Sequence, residues 1–113
     1  MKVLHLFLKY KWYDMIDSGV KKEEYRDTKW INRICLDRCA CKTSSMSPGC
    51  VLCSFYNPFI KTDYTHVCFH RGYSNVTMTW SIDSVVYGMG KTIWGAPSDK
   101  NVVIIKLAER ITL

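Results

Sequence analysis

The chain opens with a predominantly apolar run of strand length, Val3 to Leu8, and then changes period. Trp12, Met15 and Ile16 recur at helical spacing and stop before Gly19, a residue suited to a helix C-terminus. A strand followed by a helix is therefore expected. Beyond the glycine, Lys22 to Asp27 reads as a second strand, on which Lys22, Glu24 and Arg26 share one face while Glu23 and Tyr25 take the other. Lys21 falls in the turn that feeds it. Asp27 or Thr28 can cap a short second helix whose apolar stripe is Trp30, Ile31, Ile34 and Cys35.

From about residue 37 to 63 the periodicity stops, and cysteines, serines, Pro48, Gly49 and Pro58 take over. This is a loop or insertion, long enough to need something that pins it. Thr65 to Arg71 reads as a strand, and Thr77 to Asp83 alternates cleanly, with Met78, Trp80 and Ile82 on one face. Gly88, Gly90, Gly95 and Pro97 mark a turn-rich connection. Val102 to Leu107 is apolar enough to be a strand buried on both faces. The expected class is α+β, mostly strands, with two helices early in the chain.

At 113 residues and 48% hydrophobic content the chain is expected to be one domain, 1–113, with a small core. Sixteen Lys and Arg against ten Asp and Glu give a formal charge of +6, which favours an anionic partner such as nucleic acid. No stretch is apolar for the ~18 residues of a membrane helix, and lysines interrupt the first apolar run too early for a secretion signal, so a cytoplasmic protein without a membrane partner is expected. Helix-turn-helix and RNP signatures, glycine-rich phosphate loops and a Ser-His-Asp order do not stand out.

All six cysteines fall between Cys35 and Cys68. Four of them form two close pairs, Cys39-x-Cys41 and Cys50-x-x-Cys53, which together could supply four thiolates to a structural zinc ion and so order the long loop. Cys35, Cys68, His66 and His70 are the substitute ligands. Reduced free thiols are the alternative, disulfides being disfavoured in a cytoplasmic chain. His5 reads as a packed or surface histidine, and His70, beside Arg71, as the better titratable candidate.

The run "KYKWYDMIDSGVKKEEYRDTKW", with its Gly-x-Lys-x-x-Glu-x-Arg core, closely resembles the ASCH domain, the homology domain named after activating signal cointegrator-1, and in particular its small single-domain bacterial and phage members. "FHRGYS" from Phe69, "YGMGKTIWGAP" from Tyr87 and the closing "VVIIKL" are similar to the same subgroup, so the resemblance covers nearly all of the chain outside the cysteine-rich stretch. It implies a PUA-like fold, a small β-barrel with flanking helices. It also implies a cleft lined by Lys21, Glu24 and Arg26, with Gly19 shaping the turn, that takes RNA or a modified nucleoside. Some relatives hydrolyse an acetylated cytidine and carry a threonine three residues after the lysine. Glu24 stands there in this chain, and a carboxylate does not replace a hydroxyl nucleophile in acyl transfer.

Three readings of function follow. The first is an RNA- or nucleotide-binding module in which Lys21, Glu24 and Arg26 form the cleft and Trp94 and Tyr73 stack on bases, core packing being the alternative role of both aromatics. Lys9, Lys11, Lys22, Lys29, Arg33 and Arg38 could extend a phosphate-contacting surface, although nearby acids make a merely solvated face the competitor. The second is a hydrolase of ribonuclease or amidohydrolase type, with Lys21 as base or charge stabiliser and Glu24 as its acid/base partner. The third is a protein-binding adaptor that uses the cysteine-rich loop.

Overall fold

A computed structural model describes residues 1–34 and 59–112. The elements run β1 (Val3–Leu8), α1 (Tyr10–Asp17), β2 (Glu23–Arg26), a 3-10 turn at Thr28–Trp30 continued by α2 (Ile31–Ile34), then β3 (His66–Arg71), β4 (Thr77–Gly88) and β5 (Val102–Ile111). A second 3-10 turn, Thr92–Trp94, lies in the connection between β4 and β5. The four paired cysteines nominated as zinc ligands, together with most of the expected insertion, lie outside the described residues.

The strands form one five-stranded sheet in the order β1-β3-β4-β5-β2. β1 and β3 are parallel and every other pair is antiparallel. The fold is thus α+β and rich in sheet. The two edge strands are linked by a side-chain bond, Arg26 Nη2 on β2 donating to the carbonyl of Phe7 on β1 at 3.1 Å. Among the described residues, no helix is long and apolar enough to cross a membrane.

Alternation on the strands builds the core. Leu4, Leu6 and Leu8 of β1 point to one face, joined there by Val67 and Phe69 of β3, Met78 of β4, and Val103 and Ile105 of β5. Helix α1 covers this face with Tyr13 and Ile16, which lie one turn apart on the same side of the helix. Val102 and Ile104 of β5 are buried as well, so this strand is covered on both faces, as its unbroken apolar run suggests.

β4 is longer than its alternation indicates, and the reason is a register shift. Ile82 pairs with Leu107 and Ser84 with Lys106, so Asp83 is an extra residue on β4. One extra residue reverses the parity of everything that follows: Met78, Trp80 and Ile82 face the core before it, Val85 and Tyr87 after it. The period-two signal ends at the bulge, while the strand continues to Gly88. β5 likewise runs on to Ile111, past its apolar half.

Helix α1 is also held by two ion pairs at its solvent side, Asp14 with Arg71 of β3 at 2.9 Å and Asp17 with Arg110 of β5. The hydrogen bond from Arg71 holds the Asp14 carboxyl below its ordinary value. A depressed carboxylate pKa adds stability above the ordinary aspartate value of about 3.9, and this contribution is lost as pH falls through the lowered value. In a carbon-detected titration Asp14 should therefore ionise below a normal aspartate, and Arg71→Gln should bring it back up. Removing the fully buried Ile16 side chain is a larger change: Ile16→Ala should cost ~2–5 kcal/mol in denaturant unfolding, by opening a cavity between α1 and the sheet.

Candidate functional site

The site begins with the way α1 stops. Ser18 ends the helix, and Gly19 takes φ +84°, a left-handed conformation in which a Cβ would meet no neighbour but would strain the backbone. Its N–H bonds Ile16 O at 3.0 Å, and the Lys21 N–H returns to Met15 O at 2.9 Å. This tight reversal aims Lys21 inward instead of along the surface. Gly19 therefore acts through the backbone, as the turn-shaping role requires.

Lys21 is buried to 2% exposure and its Nζ donates to two oxygens, Glu24 Oε1 at 3.0 Å and the backbone carbonyl of Trp94 at 2.6 Å. The ammonium also lies 4.6 Å from the centroid of the Trp12 ring and 5.3 Å from that of Tyr25. Glu24, almost as buried, uses its other oxygen to accept from Arg26 Nη2 at 2.9 Å. Glu24 and Arg26 share a strand face, as their spacing predicts, and the carboxylate sits between two cations. An unpaired charge at this depth would be prohibitive, whereas here each of the two charges has a close partner of opposite sign.

Tyr25 takes the opposite parity and is half-buried rather than part of the main core. Its hydroxyl donates to Glu23 at 2.6 Å and accepts the Lys91 N–H at 3.0 Å. Burial, reinforced by the bond to Glu23, pushes its phenol well above the ordinary value. The ring lies so close to Gly90 that a Cβ there would come within 2.5 Å of it. The β4–β5 connection is thereby laid across β2, and the Trp94 carbonyl is brought over Lys21.

Above the charge network lies a cleft of about 200 Å³, with Phe7, Trp12, Tyr25 and Trp94 among its walls and Lys9 at its margin. A second cavity of about 350 Å³ lies beside it and shares Tyr25, Arg26 and Gly95 with the first, while Lys100 and Asp27 belong to its far side. Gly95 has φ +100°, and a Cβ there would press on the Trp12 ring at 3.0 Å. The Nε of Arg26 is buried and has no hydrogen-bond partner among the described residues. That nitrogen is closed off from both cavities, while the rest of the Arg26 side chain, 19% exposed, forms part of the wall common to them.

Lys21, Glu24, Arg26 and Trp94 thus come together. Tyr73 does not join them: it is 98% exposed, with its ring 6.0 Å from Phe7 on the outer side of β1. Of the other basic residues considered, Lys9 borders the cleft, Lys11 packs over Trp12, and Arg33 packs over Trp30. Trp12, Phe7 and Tyr25 are the cleft residues missed by the reading of the sequence. Trp12 passes there for part of the helix's apolar stripe, and only its contact with Gly95, more than eighty residues away, makes it a wall.

Glu24 is the member of the network whose loss leaves two cations facing each other. Glu24→Gln should cost ~3–5 kcal/mol in denaturant unfolding, whereas Lys21→Met, which leaves Glu24 paired to Arg26, should cost clearly less. Equal stability of Glu24→Gln and the parent would contradict this account of the network. Comparison with known proteins leaves the chain on its own terms: no family model, no curated protein and no solved structure matches it.

Proposed function

We propose that the chain is an ASCH-type module with a PUA-like barrel that binds RNA or a nucleotide in the cleft above Lys21, Glu24 and Arg26. The observation that carries this reading is Arg26, whose partly exposed guanidinium stands in the wall of two adjoining cavities beside aromatic rings. Its guanidinium suits a phosphate, with the larger cavity on one side of it suited to a nucleoside and the smaller one on the other. The first cavity is smaller than the ~300 Å³ at the low end of small-molecule sites, so a base or sugar would enter it with the rest of the ligand outside. Lys9 at one margin and Lys100 at the other extend the positive field along the path of a backbone. Two cations against one carboxylate in the network keep that field positive at its centre.

Binding is favoured over hydrolysis by what Lys21 and Glu24 already do. Each oxygen of Glu24 is engaged by a cation, and Lys21 is engaged by that carboxylate and by a carbonyl. A pair committed in this way holds the cleft in shape and offers neither a free base nor a free acid to a substrate.

The test is anisotropy of labelled short RNA and single-stranded DNA, with nucleoside monophosphates as competitors, over a range of salt. The wild-type protein should bind RNA in a salt-sensitive way, and Lys9→Ala should lower the slope of log K against log salt by about 1. Trp94→Ala removes the ring but keeps the carbonyl that Lys21 needs, so it should weaken RNA binding by ~1–3 kcal/mol with little effect on folding. Absence of binding at low salt, or unchanged affinity in Trp94→Ala and Arg26→Gln, would overturn the proposal.

A further inference from the structure

On the outer face of the sheet, opposite the core, two strands bring three metal-ligating side chains together. β1 and β3 are parallel, and their register sets His5 directly across from Cys68. His70 lies two residues beyond Cys68 and therefore on the same face. His5 Nδ1 and His70 Nε2 are 3.0 Å apart, and one ring nitrogen of each histidine and the Cys68 thiol all lie within 4.8 Å of one another. Cys68 is buried and free, His70 is half-buried and His5 is exposed, so the group is open to solvent from the His5 side.

We propose that His5, Cys68 and His70 form a binding site for a soft divalent transition ion, Zn²⁺ being the best fit. One thiolate with two imidazoles is a donor set that selects zinc over the oxygen-preferring magnesium and calcium. Around a tetrahedral zinc, ligand atoms lie about 3.3–3.7 Å apart, given bond lengths of ~2.0–2.3 Å. The two imidazole nitrogens are already near that separation. Rotation of the exposed His5 ring, with a small shift of the thiol, closes the remainder. On binding, the proton of the Cys68 thiol passes to solvent and the proton between the imidazoles moves to the other nitrogen of its own ring, which leaves one thiolate and two neutral rings on the metal.

Three protein ligands leave a fourth position for water or for an incoming ligand atom. Its location gives that position a context. Phe7 packs on the His70 ring with centroids 4.6 Å apart, and the same Phe7 forms part of the cleft wall at Arg26. The metal site and the cleft are therefore neighbours across one aromatic ring. The proposed site uses none of the nominated ligands Cys39, Cys41, Cys50 and Cys53, which lie outside the described residues, and it does not depend on what the cleft binds.

The full-length protein labelled with ¹⁵N-histidine and ¹³C-cysteine tests this directly, with Zn²⁺ alone added in steps. The ring nitrogens of His5 and His70 and the Cβ of Cys68 should move together within the first equivalents, while His66, which is outside the group, stays in place. His5→Asn alters an exposed residue and should leave the fold intact. It should weaken Zn²⁺ binding at His70 and Cys68 by about 100-fold or more, since loss of even an outer partner of a ligand costs 10–100-fold. The proposal is overturned if the signals of all three residues stay fixed while Zn²⁺ binds elsewhere or not at all. It is equally overturned if Cys68 and His70 respond unchanged in His5→Asn.

Discussion

A carboxylate held between two cations determines how this small protein closes. Glu24 reaches Lys21 with one oxygen and Arg26 with the other, and those two cations go on to the carbonyls of Trp94 and Phe7. Four segments are thus tied by one short chain of charge: the turn after α1, the strand β2 that follows it, the β4–β5 connection and the end of β1. The Arg26–Phe7 bond matters most for shape, because it joins the two edges of the sheet. An open edge leaves backbone groups unpaired, and the bond from β2 to β1 reduces that liability where it links the two strands. Such a network is not a cheap way to gain stability. Desolvation offsets much of the attraction, and an apolar pair of equal volume often performs as well. Its presence is better understood through what it positions, namely a partly exposed arginine among aromatic side chains.

The parts of this structure that follow from local pattern were legible in the sequence. The apolar run of β1, the helical spacing that ends at Gly19 and the doubly buried β5 each depend on residues close together in the chain. Parity sufficed to put Glu24 and Arg26 on one face, and the glycine sufficed to put Lys21 in the turn before them, while its place beside them was an expectation from resemblance. Legibility fails where one residue alters the count or where distant segments meet. Asp83 on β4 reverses the alternation, so the strand appears to stop where it only changes face. Tyr73 follows a glycine in a stretch that resembles a binding motif, yet the turn after β3 projects it into solvent. Trp94 was singled out for its ring, whereas its carbonyl is what the buried lysine contacts.

The outer face makes the same point from the other side. His5 alone is an ordinary exposed histidine, and His70 an ordinary histidine next to an arginine. Nothing within ten residues of either suggests the other. Their proximity is a property of parallel pairing between β1 and β3, fixed by Leu4, Leu6, Val67 and Phe69 packing on the opposite face. A slip of β1 by one residue would turn Leu4 and Leu6 out of the core, so the register is strongly specified. The core thereby sets the geometry of a cluster that it does not touch.

That coupling bears on how the two faces of β1 relate. Its even residues are core, its odd residues His5 and Phe7 are outside, and its carbonyl at Phe7 takes the arginine that links the two edge strands. A short strand with every position engaged has little freedom to move one feature without moving the others. Phe7 is the residue through which any movement would pass, since its ring touches His70 and its backbone holds Arg26. A change in the position of the His70 ring would be felt at the cleft through packing, over a distance of two side chains. Rigid elements with precise registers suit positioning better than they suit motion. The cleft and the histidine cluster are both placed by the sheet, with the exposed His5 ring the part of the cluster most free to turn.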